Sequence, residues 1–156
     1  IEQTEQIVKG WVANLAAPPF SNDTKVLQSI AAGQGDVGIV NTYYFGRLVR
    51  KDPNLALALF WPNQQSGGVH VNVSGAGITA HTRHKQAAVA LLEWLSTPDA
   101  QNLFADANLE YPANSTVKPN PAVASWGTFK QNPINLESAG AYQADAIRLM
   151  DRAGYK

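Results

Sequence analysis

The chain has no cysteine, which excludes disulfides, thiolate metal sites and cysteine nucleophiles, and is compatible with an oxidising compartment. It also lacks a charge excess, because twelve Lys and Arg balance twelve Asp and Glu. Without a basic footprint or a polybasic face, no nucleic-acid partner and no attraction to an anionic membrane are expected. No apolar run approaches the roughly 18 residues of a membrane-spanning helix, so no membrane insertion is expected either. The opening Ile1-Glu2-Gln3-Thr4-Glu5 is neither an initiator Met nor a signal peptide, and is read as the start of a soluble, processed or truncated piece.

What is present is globular in character. The 156 residues are 45% hydrophobic and 15% charged, with four Trp and five Tyr. A chain of this size can bury roughly 68–70% of its unfolded surface, so one ordinary domain with a real core is expected. No low-complexity run, charge block or internal repeat is visible.

Ile7, Val8, Trp11, Val12 and Leu15 recur at helical spacing, predicting a helix over 3–16 that Pro18-Pro19 stops. Asp23 or Thr24 is placed to cap a second helix bearing Val26, Leu27, Ile30 and Ala31, with Gly33 ending it. A strand is expected at 36–40, leading into a helix-like stretch. Leu55 to Phe60 reads as another strand, and Val69, Val71 and Val73 alternate with polar residues in a third. Helices are expected over 84–95 and from Pro98 to about Ala107, and a last one carries Ala139 to Ala153 before Gly154. Between them runs a Pro- and Asn-rich excursion from Tyr111 to Asn135. Alternating strands and helices argue an α/β fold.

The most informative feature is Tyr43-Tyr44, at the end of the expected strand 36–40 and the start of a helix. Open α/β sheets place ligands at the carboxyl ends of strands. Adjacent tyrosines alone more often serve packing, since each ring is a large hydrophobe with a polar handle. The chemical case for a metal is that a phenolate is a hard oxygen donor suited to ferric iron, and that a bound trivalent cation displaces its proton.

Other polar residues offer less. His70, His81 and His84 have no zinc-like spacing and are read as structural or solvent-facing. Glu93, Glu110 and Glu137 are scattered, Gly33-Gln34-Gly35 lacks the lysine of a phosphate-binding loop, and Ser74-Gly75-Ala76-Gly77 reads as a bend or close packing. No acid, base or nucleophile constellation is visible, so no enzyme activity is expected.

The stretch Ala32-Gly33-Gln34-Gly35-Asp36-Val37-Gly38-Ile39-Val40-Asn41-Thr42-Tyr43-Tyr44, with Asn22-Asp23-Thr24 before it, resembles the ferric-iron-binding proteins of bacterial ABC transporters. His70 to Gly77, Leu91 to Ser96, Asn108 to Asn114 and Arg148 to Lys156 are similar to the same family, so the resemblance spans essentially the whole chain. It implies a periplasmic, type II periplasmic-binding-protein-like fold that closes on Fe(III) and delivers it to an inner-membrane ABC permease. Tyr43 and Tyr44 match the paired tyrosine ligands. Asn41 resembles a position that helps hold a synergistic anion, such as carbonate or phosphate, and Asn22 a second such position.

The departure is in length, since these proteins run to roughly twice this size and the match is to their later half. The resemblance therefore implies a partial fold with segments of two lobes and a missing amino-terminal half that supplies the remaining ligands. Residues 1–70 would be part of the second lobe carrying the tyrosine pair, 71–125 a hinge strand and return into the first lobe, and 126–156 a carboxy-terminal helix packing on the second lobe. Two rivals stay open on the residues: the same fold binding another small solute, such as a polyamine, thiamine or a phosphorylated compound, or an α/β enzyme.

Overall fold

A computed structural model describes residues 2–156. Among the described residues it contains eight helices: α1 Glu2–Ala13, α2 Asp23–Ala31, α3 Thr42–Lys51, α4 Lys85–Leu95, α5 Pro98–Asn108, α6 Pro121–Ala124, α7 Leu136–Ala141 and α8 Gln143–Ala153. The chain divides into two compact units, one of residues 1–39 and 132–156 and the other of 40–131.

In the first unit, α1 packs on α8 through Val8 of the apolar face that the sequence shows, whereas Ile7, Trp11 and Leu15 of that face are exposed. Val8, Leu149 and Ala153 form a buried cluster with Tyr155 against it. Arg152 reaches back to Glu5, Nη2 to Oε2 at 3.0 Å, and Lys9 meets the other Glu5 oxygen at 2.9 Å. The two cations hold the Glu5 carboxyl below its ordinary value, the hydrogen bond from Lys9 contributing most and that from Arg152 next. Asn22, rather than Asp23 or Thr24, caps α2, its Oδ1 accepting from the Lys25 N–H at 3.0 Å. The following segment crosses α2 at Gly38, where a Cβ would lie 2.6 Å from both Ile30 Cδ1 and Val26 Cγ1.

In the second unit, Thr97 caps α5 with Pro98 in its first turn, as the sequence predicts. Gln101 ties the surrounding chain together. Its Nε2 donates to the Leu95 carbonyl at 2.7 Å and its Oε1 accepts from the Ala113 N–H at 2.6 Å. Helix α5 ends at Leu109, a fully buried residue in the left-handed conformation at φ 59°. Ala100, Ala105, Val117 and Val123 are buried with it.

Three expectations are corrected. The stretches 36–40, 55–60 and 69–73 form no β-ladder among the described residues; the one pairing is an isolated parallel bridge between Val69 and Gln131. Alternation along a segment specifies two faces but not a partner, and a strand exists only where a neighbour takes its backbone hydrogen bonds. Val37 is 90% exposed, Ile39 88% and Phe60 82%. The expected core is likewise small. The accessible surface is 11708 Å², against about 7,700 Å² for a folded monomer of this mass. The last helix is also broken, at Tyr142, into α7 and α8.

Candidate functional site

Helix α3 begins where the second unit begins, with Asn41 as its N-cap in an extended conformation and Tyr43 and Tyr44 in the first turn. The Tyr44 N–H donates to the Asn41 carbonyl at 3.2 Å. Two anchors fix this helix. Phe45 is buried edge-to-face against Trp126, with ring centroids 6.0 Å apart. Gly46 is buried so closely that a Cβ would stand 2.8 Å from Leu109 Cδ1 and 2.9 Å from Trp126 Cζ2. The aromatic layer continues through Tyr111, Phe129 and Trp61, whose Nε1 donates to the Trp126 carbonyl at 2.9 Å.

Because Phe45 and Gly46 face that layer, the tyrosines before them are left half-buried rather than enclosed. Their ring centroids are 4.5 Å apart, with the planes tilted by 37°. The Arg47 guanidinium lies over both rings, 5.1 Å from the Tyr43 centroid and 5.6 Å from that of Tyr44. Its Nη2 donates to Asn108 Oδ1 at 3.3 Å. Asn41 Oδ1 accepts from Asn72 Nδ2, also at 3.3 Å, so the N-cap residue is tied to the extended segment after His70.

The other tyrosines are differently disposed. Burial in the aromatic layer raises the Tyr111 phenol above its ordinary value, which favours the neutral form and disfavours a phenolate ligand there. Tyr142 is exposed at the break between α7 and α8, and Tyr155 packs on the core of the first unit. Tyr43 and Tyr44 are thus the two tyrosines whose rings are grouped at one end of one helix. Two adjacent phenols form a hard-oxygen donor set that fits a trivalent cation and leaves most of its coordination positions to other groups.

Of the anion candidates, Asn41 stands beside the pair, whereas Asn22 belongs to the first unit, where its oxygen is engaged in capping α2. His70, His81 and His84 are exposed, and among the described residues no group of three or more His, Asp or Glu could hold a metal. Gly75 and Gly77 have open space where a Cβ would project, so close packing does not explain Ser74 to Gly77. Arg47 was not singled out from the sequence, although its spacing of three and four residues from the two tyrosines carries the signal. Its bond to Asn108, 61 residues away, carries none.

A family model described as bacterial extracellular solute-binding protein matches residues 2–131. The chain is 43% identical to the iron uptake protein A2 of Synechocystis sp. over 99% of its own length and 47% of that protein. It is 26% identical to the major ferric iron-binding protein of Neisseria meningitidis, over 100% of this chain and 50% of that one. Among solved structures, the Trichodesmium IdiA (FutA) protein in complex with iron and citrate ligands matches with a TM-score of 0.93 and 40% identity, covering 99% of this chain and 51% of the other. The chain therefore spans about half the length of the curated relatives that it matches.

Proposed function

The chain belongs to the bacterial extracellular solute-binding protein family, and from that membership we propose that it carries part of the Fe(III) site of the binding component of an iron importer. Its fold is part of a type II periplasmic-binding-protein fold. This is a family of binding proteins rather than of enzymes. The observation that carries the iron assignment is the Tyr43 and Tyr44 pair, two phenols with ring centroids 4.5 Å apart at the start of α3. Relatives named for iron uptake and ferric iron binding support the choice of metal.

In this reading each phenol loses its proton and coordinates Fe(III) as a phenolate. The ion is cargo, held in the periplasm and passed to an inner-membrane ABC permease. Asn41, at the positive end of α3, helps hold an anion such as carbonate or phosphate beside the iron. Asn22 is a second anion candidate within the first unit, its oxygen capping α2 and its side-chain amide nitrogen donating to Ser21 Oγ at 3.5 Å.

The remaining ligands and the partners of the unpaired extended segments come from an amino-terminal half of the same protein. The exposed Val37, Ile39 and Phe60 support this, as does the surface excess of about 4,000 Å² over a folded monomer of this mass. Titrating the full-length protein with Fe(III) tests the assignment, because phenolate bound to Fe(III) produces a visible charge-transfer band. A colourless complex that takes up an organic solute instead would identify the pair as a stacking platform.

A further inference from the structure

Two consecutive residues of a helix point about 100° apart and do not normally face one another. Yet the Tyr43 and Tyr44 rings lie with centroids 4.5 Å apart. At about 100° per residue, Arg47 falls about 40° from the direction of Tyr43, in the interval between the two tyrosines. Its guanidinium is accordingly over both rings, at 5.1 and 5.6 Å from their centroids. A long side chain at an exposed position has ample rotamer freedom to lose, so a second contact is needed to keep it there. That contact is Asn108 Oδ1, 3.3 Å from Arg47 Nη2, at the last residue of α5. Asn108 is itself held in place by the next residue, the fully buried Leu109, which packs against Gly46 of α3.

We infer that Arg47, braced by Asn108, is a positioning residue that draws the Tyr43 and Tyr44 rings together into one donor pair before the ion arrives. The inference rests on the reading of these tyrosines as iron ligands. Its chemistry is the attraction of a planar cation to two ring faces, which strengthens when the rings become anionic. A pair already converged loses less side-chain freedom on binding than two independently rotating phenols. Lysine at the same place keeps a cation but not the planar fork that reaches Asn108 and spreads over two rings.

The test is made in the full-length protein with Arg47→Met, Arg47→Lys and Asn108→Ala. Arg47→Met keeps an apolar stem and deletes the cation, while Asn108→Ala removes the brace without touching a tyrosine. The near-ultraviolet circular dichroism of the metal-free protein reports on the coupling of the two rings. The position of the Fe(III) charge-transfer band and competition against citrate report on the loaded site. Arg47→Met is expected to change the tyrosine dichroism, move the band and weaken retention about tenfold. Asn108→Ala is expected to do the same to a smaller extent, and Arg47→Lys to fall between Met and wild type. Wild-type dichroism and band position in both Arg47→Met and Asn108→Ala overturn the inference. A wild-type protein that binds no Fe(III) overturns the iron reading itself, and in that case changed dichroism in the metal-free variants still upholds the brace.

Discussion

Gly46 stands where any side chain would collide with Leu109: a Cβ placed there lies 2.8 Å from Leu109 Cδ1, and the leucine is fully buried. The contact seats α3 on the end of α5, and the orientation of the tyrosine pair follows from it. Gly46→Ala gains up to about 1 kcal/mol of helix propensity but overpacks the site, which typically costs about 1–3 kcal/mol. The expected outcome is a lower denaturation midpoint for the full-length variant, with weaker iron retention. An unchanged midpoint would show that Leu109 and Trp126 yield without strain.

The Glu5 carboxyl is held below its ordinary value by Lys9 and Arg152. A carboxylate depressed in the folded state leaves the unfolded chain binding more protons, so its contribution is present above the unfolded pKa and is lost as pH falls through the folded one. The pairing of α1 with α8 is expected to weaken modestly in acid. Glu5→Gln should flatten that part of the stability profile measured by denaturant titration between neutral and acidic pH. A mutant profile that parallels wild type would remove Glu5 from the account.

Each phenol that coordinates a metal gives up its proton, so iron binding should release protons and weaken as the solution is acidified. Potentiometric titration during loading of the full-length protein measures both. A flat affinity from neutral to acidic pH with no proton release would argue for stacking or for a site without phenolate.

The chain alone should bind Fe(III) weakly or not at all. Two phenolates fill two of about six positions in a hard-oxygen site. Exposed extended segments with apolar side chains should also make the isolated piece associate with itself or with its missing half. Sizing and iron titration of the 156-residue chain beside the full-length protein check this, and a clean monomer with full-length affinity would contradict it.

Much of the helical framework was legible in the sequence. Thr97-Pro98 marks the start of α5 because a cap followed by proline is a local signal, and Gly154 ends α8 for the same reason. The strands were not legible in the same sense. Val37 and Ile39 show an apolar run, but pairing depends on a second segment that no local pattern names, and the described residues supply none for them. At the site, the tyrosine pair was conspicuous and Arg47 was readable from helical spacing. The Asn41 to Asn72 and Arg47 to Asn108 contacts join residues 31 and 61 positions apart and follow only from the packing of α3.

The central claim is that Tyr43 and Tyr44 are both phenolate ligands of Fe(III), and the most direct measurement is Fe(III) titration of the full-length Tyr43→Phe and Tyr44→Phe variants, read by the visible charge-transfer band. Phenylalanine keeps the ring and its packing while deleting the donor oxygen. Each substitution is expected to diminish or shift the band and to weaken affinity by about 100-fold or more, since loss of even an outer-shell partner typically costs about 10–100-fold. Wild-type band and affinity in both variants would contradict the assignment.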